Sequence, residues 1–264
     1  MLQAWFMALG VLLAAGLLAW GFSLVRRNVS FVDSLWSLFF VMAAVVFALR
    51  QDTLGTRAVL VIALLTAWAL RLSIHILMRN WGQPEDYRYR SIRANNEPGF
   101  KFKSLYIVFG LQAALAWFIS LPLFPAIGSA TDLNLFDALA GALWLIGFLF
   151  EAGGDYQLAR FRRDGKNAGD VLDTGLWKYT RHPNYFGEFC IWWAYYLFAV
   201  AAGGWWSIVS PLVMTFLLLR VSGVALLEET IVSRRPAYAD YVRRTNAFFP
   251  GPRKRSRTLA EDRP

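Results

Sequence analysis

The chain has 264 residues, 57% of them hydrophobic and 17% charged, with 12 Trp and 21 Phe; a water-soluble domain is nearer half apolar and a quarter charged, so one polytopic membrane domain is the natural reading. The single cysteine, Cys190, excludes an internal disulfide, and with only two histidines, His75 and His182, no His/Cys zinc cluster can be assembled. The net charge of +9 is spread over loops and a tail without a recognition motif, which argues against nucleic acid.

Apolar segments fall at 3–25, 31–49, 58–78, 104–124, 135–158, 186–202 and 205–227, each near the roughly 20 residues that cross a bilayer. This predicts an all-α fold with seven crossings, forming a single domain over 1–250. The first stretch has no basic residue before it and exceeds a typical signal core, so it reads as a retained helix. Asp33 opens the second span, where a helix cap and a catalytic acid are both open readings. Arg71 and His75 lie four apart on the third span and share a face. The segment Pro84-Glu-Asp-Tyr-Arg-Tyr89 reads most simply as a solvated loop, though its acids, tyrosines and arginine also suit the mouth of a cofactor site.

Glu151 and Asp155 stand late in the fifth span. They read either as a structural pair with Arg71 or as a polar pocket. Gly153 and Gly154 between them permit close approach of a helix or a ligand. The loop that follows, 160–178, is rich in glycine and basic residues able to meet phosphates, but it lacks GxGxxG and a preceding strand. The densest polar run is Gly175-Leu-Trp-Lys-Tyr-Thr-Arg-His-Pro-Asn-Tyr-Phe-Gly-Glu188, directly before the sixth span. Cys190 within that span reads as a small packing residue. A Gly203-Gly204 turn flanked by Trp205 and Trp206 separates the last two spans, and residues 251–264 form a basic polar tail expected to be disordered.

With seven crossings, all 27 Lys and Arg except Arg50, Arg57 and Arg71 fall on one side of the membrane. The positive-inside rule then puts the amino terminus outside and the carboxyl terminus in the cytoplasm.

Asp155-Tyr-Gln-Leu-Ala-Arg-Phe-Arg162, Gly175-Leu-Trp-Lys-Tyr, Arg181-His-Pro-Asn-Tyr-Phe-Gly-Glu188 and the ending Tyr238-Ala-Asp-Tyr-Val-Arg-Arg-Thr-Asn-Ala-Phe-Phe-Pro250 resemble the steroid 5-alpha-reductase family, more closely its bacterial branch. The likeness is strong over about 150–250. It implies a multi-pass protein of the bacterial inner membrane that binds NADPH from the cytosol. Such an enzyme reduces a carbon–carbon double bond conjugated to a carbonyl in a steroid-like or other lipid. Neither a nucleic acid nor an obligate protein partner is implied.

In that family the positions matching Asp155, Arg162, Asn184 and Glu188 touch the cofactor, and Arg71 matches a basic position on an earlier helix. Lys178, Arg181, His182, Tyr185 and Tyr241 belong to the same motifs and complete the cofactor candidates. The family's carbonyl-polarising tyrosine falls on Trp68, which departs from the pattern. The nearest acid is Asp33, with Tyr87 or Tyr89 as the alternative donor.

The run Arg181-His-Pro-Asn-Tyr-Phe-Gly187, and Arg220 followed by Glu228-Glu229, also resemble the isoprenylcysteine carboxyl methyltransferases. This alternative implies S-adenosylmethionine and methyl transfer, with wider spacing between Arg220 and the glutamates than that family shows. A third reading is a non-catalytic lipid-binding protein on the same scaffold.

Overall fold

The computed structural model describes residues 2–167, 169–221 and 237–254, and these contain helices and no strand. The principal helices are α1 Leu2–Arg26, α2 Val32–Ala48, α3 Thr56–Asn80, α4 Tyr87–Ala94, α5 Phe100–Ile119, α6 Leu123–Gly128, α7 Leu135–Arg163, α8 Pro183–Ala201, α9 Trp205–Val221 and α10 Ala237–Arg244.

Among the described residues, α1, α3, α5 and α7 are long and apolar enough to cross a membrane. The three other expected spans fall on the shorter apolar helices α2 and α9 and on the 19-residue α8, none of which is among those four, and residues 222–227 of the last span lie outside the described residues. Large apolar side chains point outward along these helices: Leu18 is 76% exposed and Val25 82%. In water such a surface would drive association; in a bilayer it meets hydrocarbon, while the helical backbone satisfies its own N–H and C=O groups. These features mark a membrane protein.

The chain falls into two compact units, residues 1–138 with 195–210, and residues 139–194 with 211–264. In the first unit α2 packs on α1 and α3, α1 and α2 pack on α5, and α2 and α3 pack on α6. Trp5 stacks on Phe47 at 5.9 Å and meets Trp117 at 4.7 Å, and Ser37 Oγ donates to the Ala69 carbonyl at 2.9 Å, tying α2 to α3.

The fourth expected span is interrupted. The helix ends at Ile119, a turn through Pro122 follows, and α6 resumes at Leu123, because proline cannot continue the hydrogen-bond ladder. Inside α5, Leu105–Gly110 is π-helical, and such a wide turn rotates the face of the residues beyond it.

Arg57, expected as an outer-loop cation, is fully buried. Its Nε and Nη2 donate to the two Asp137 carboxylate oxygens at 2.7 and 2.8 Å, and Nη1 and Nη2 also reach Thr131 Oγ1 and the Asp132 carbonyl. This network joins the starts of α3 and α7.

In the second unit α7 and α8 come into backbone contact at two glycines. A Cβ on Gly187 would lie 2.5 Å from both Glu151 N and Gly147 O, and one on Gly147 would lie 2.6 Å from Gly187 O. Only hydrogen fits there. Cys190 is buried beside the same crossing, as a packing residue.

Candidate functional site

The first unit brings Asp33, Arg88, Tyr89 and Gln112 together. Asp33 lies in the first turn of α2, where the helix dipole favours a negative charge. It does not cap: Phe31 holds the cap position without a side-chain bond. Its carboxylate is taken elsewhere, Oδ2 accepting from Arg88 Nη2 at 2.6 Å and Oδ1 from the Tyr89 hydroxyl at 2.5 Å. Gln112 Nε2 donates to the Tyr89 oxygen at 3.0 Å, while its Oε1 is buried without a hydrogen-bond partner among the described residues. Gln112 stands two residues beyond the π-helical turn of α5.

The segment read as a loop is an anchored helix start. The Asp86 side chain caps α4 by accepting from Arg88 N at 2.9 Å, and Asp86 N donates to Ser30 Oγ at 2.7 Å. Glu85 accepts from Val29 N at 3.0 Å and from both Nε and Nη2 of Arg93. The connection between α1 and α2 is thereby fastened to α4, which fixes Tyr89 opposite Asp33.

Burial, then the Asp33 charge, holds the Tyr89 phenol protonated well above its ordinary pKa. Burial works against the Arg88 charge, but Asp33 and Asp86 outweigh it and raise its pKa further. Burial also pulls Glu85 and Asp86 upward, yet their arginine and backbone hydrogen bonds leave both below the ordinary carboxylate range. Tyr87, the third catalytic candidate, is exposed on α4. Arg88 and Gln112 were not singled out by the sequence. Arg71 lies half-buried on α3, on the face it shares with His75.

The second unit gathers the motif residues of 151–188. Glu151 and Asp155 are buried on α7, and Asn184 Nδ2 donates to Asp155 Oδ1 at 3.2 Å. The space beside Gly153 and Gly154 is filled by the chain itself: a Cβ on Gly153 would lie 3.0 Å from Leu176, and one on Gly154 3.0 Å from Pro183. Trp177 Nε1 donates to the Gly154 carbonyl at 3.1 Å.

His182 is buried and stacks on Tyr185 at 5.6 Å, and Glu188 is half-buried a turn further along α8. Arg162 and Lys178 are exposed, near the other cations of the 160–178 segment.

Two cofactor candidates face the carboxyl-terminal segment. Arg181 Nη1 donates to the carbonyls of Val242 and Thr245 at 3.0 and 2.6 Å, and its backbone N–H to Asn246 O at 2.9 Å. The Tyr241 hydroxyl donates to Trp177 O at 2.6 Å, and burial keeps it protonated above its ordinary pKa. Thr180 Oγ1 donates to Phe248 O, Gly251 N to Tyr179 O, and Arg244 and Arg253 both pair with Asp173. The polar tail is therefore tied down through Lys254, whose N–H donates to Arg244 O. Residues 255–264 and the Glu228-Glu229 pair lie outside the described residues. Among the described residues no group of three or more His, Cys, Asp or Glu is placed to hold a metal ion.

A family model described as "Protein of unknown function (DUF1295)" matches residues 19–245. The chain belongs to this family. It is 26% identical over 268 residues to an uncharacterized protein of Schizosaccharomyces pombe, covering 89% of this chain and 76% of that one. It is also 38% identical over 64 residues to a Bos taurus protein named "3-oxo-5-alpha-steroid 4-dehydrogenase 1", covering 24% of this chain and 25% of the bovine one. No solved structure matches the chain.

Proposed function

We propose that this protein is a multi-pass membrane reductase that uses NADPH to saturate a carbon–carbon double bond conjugated to a carbonyl in a lipid substrate, steroid-like or otherwise. The observation that carries the reading is the 64-residue likeness to the bovine 3-oxo-5-alpha-steroid 4-dehydrogenase 1. Seven crossings, a cytoplasmic carboxyl terminus and a bacterial inner-membrane location belong to the same proposal. The charge asymmetry supports the orientation.

The residues of the second unit suit an anionic dinucleotide by their donor chemistry. Arg162 and Lys178 present cations to water, and Asp155 with Asn184 offers a carboxylate and an amide to sugar hydroxyls. Glu188, Tyr185 and His182 extend the same set, and Arg71 is a further cofactor candidate by the family resemblance alone. Arg181 and Tyr241 serve this site by position, holding residues 241–246 against the 177–182 segment. NADPH, when bound, would supply the hydride, and the proton that completes saturation at the α carbon would come from solvent water.

Carbonyl polarisation is assigned to Tyr89, which Asp33 positions. Tyr89 carries a neutral O–H whose proton is hard to remove, so it acts as a hydrogen-bond donor to negative charge growing on a carbonyl oxygen and keeps its own proton. Arg88 balances the Asp33 charge while the phenol turns to the substrate. Gln112 steadies the phenol oxygen and holds out an acceptor in the same buried place.

The test is ligand stabilisation of the purified chain in detergent with NADPH, NADH and S-adenosylmethionine, followed by NADPH oxidation with enone lipids. NADPH at a hundredfold excess over its Kd should stabilise by about 2.7 kcal/mol. A shift with S-adenosylmethionine alone overturns the reductase reading in favour of methyl transfer. No shift with any of the three overturns it in favour of a non-catalytic lipid-binding protein.

A further inference from the structure

We propose that a recess between the end of α1 and the start of α5 binds the phosphate headgroup of an anionic membrane lipid, independently of the reductase reading. The recess encloses about 330 Å³, and its walls carry three cations, Arg27, Arg93 and Lys101, beside Ser23, Ser104 and Phe100. That volume sits at the small end of the roughly 300–1,000 Å³ of ligand sites. It suits a glycerophosphate headgroup better than a dinucleotide.

The charge is unbalanced. Arg93 is matched by Glu85, which takes both of its donated hydrogen bonds, and its guanidinium lies 4.3 Å above the Phe100 ring. Arg27 and Lys101 add two further positive charges, and among the described residues no acidic side chain lines the recess. An anion placed there meets complementary charge on a surface already shaped to receive it.

The chain builds the recess deliberately. α1 ends at Arg26, and Arg27 adopts φ 52, in the left-handed region that non-glycine residues enter at a cost. Trp20 Nε1 donates to the Lys101 carbonyl at 2.9 Å, clamping the start of α5 to α1.

Two features select a lipid over a free phosphate. The cations stand where a membrane-length helix ends, the depth at which lipid phosphates lie. In addition Val25 and Phe102, neighbours in the chain of the lining residues, turn outward and give an acyl chain an apolar track.

The experiment titrates the full chain in neutral detergent with dioctanoyl phosphatidylglycerol, dioctanoyl phosphatidylcholine and inorganic phosphate, reading the thermal midpoint. Phosphatidylglycerol should raise the midpoint by several degrees, and the other two should leave it unchanged. The double variant R27Q/K101Q should bind phosphatidylglycerol at least about tenfold more weakly, and R50Q should bind it normally. Should the double variant not fold, K101Q alone with a salt series replaces it, the stabilisation fading between about 0.05 and about 0.5 M salt. Equal stabilisation by phosphatidylcholine or inorganic phosphate overturns the proposal. So does an undiminished phosphatidylglycerol effect in the neutralised variants or in high salt.

Discussion

Tyr89 is the residue on which the proposed chemistry of the first unit turns, because its hydroxyl joins Asp33 and Gln112 in one chain of hydrogen bonds. Tyr89→Phe removes only that hydroxyl. We expect turnover of an enone lipid to fall by about 10²-fold or more and stability by only about 1 kcal/mol, measured as kcat and as the urea midpoint. Turnover retained in Y89F, or in Asp33→Ala, would remove that residue from the proposed site. Glu85 and Asp86 set a pH dependence. Both have folded pKa values below their unfolded ones, about 4.3 and 3.9, so the stability they contribute is complete above those unfolded values and is lost as pH falls through the lowered folded ones. The thermal midpoint should hold steady from pH 7 to about 5 and then decline, less steeply in Glu85→Gln. Asp33 was legible as a carboxylate at the edge of an apolar span. Arg88 read as one more charge of the 84–89 segment and Gln112 drew no reading, since pairing across 55 and 23 residues leaves no local pattern.

At the scale of elements, the α7–α8 crossing depends on absent side chains. Gly187→Ala places a methyl 2.5 Å from backbone atoms of Glu151 and Gly147, which cannot yield without parting the helices. We expect a loss of about 1–3 kcal/mol, read as a lower thermal midpoint, whereas Gly141→Ala, with nothing within 4 Å, should be neutral or slightly stabilising. Arg57→Ala would leave the Asp137 carboxylate buried without its partner. Its expected cost is about 3–5 kcal/mol, and R57M/D137L should recover much of it. Hydropathy placed α1, α2, α3 and α7 to within a few residues, because a block of apolar side chains is its own signal. It placed α8 three residues late, since Pro183 fits the first helical turn instead of merely preceding it. The 84–89 segment escaped because α4 has only short, charged sequence; its helix rests on the Asp86 cap and on the Glu85 anchor.

For the molecule as a whole, composition and charge asymmetry disclosed a helical membrane protein, and the described helices carry that through. The orientation is open to direct measurement. Cys190 is buried, so single cysteines placed at exposed Asp52 and Asp164 report on their own loops. With seven crossings an impermeant maleimide applied outside should label D52C in intact cells, and D164C only once the membrane is opened. Labelling of both from the same side would refute the crossing count. What composition could not disclose is the division into two compact units, because hydropathy marks each helix without marking which others it packs against.

The bonds that secure α4 and most of those that secure the final segment differ in kind, the pairs of Arg244 and Arg253 with Asp173 being the exception. Glu85 and Asp86 accept through carboxylates, which take up protons in acid. Arg181 and Thr180 instead grip the amide oxygens of Val242, Thr245 and Phe248, and an amide oxygen carries no proton to gain within the range a protein survives. Mild acid should therefore loosen the molecule in a fixed order, exposing peptide bonds near residue 85 to a protease while those near residue 245 still resist cleavage.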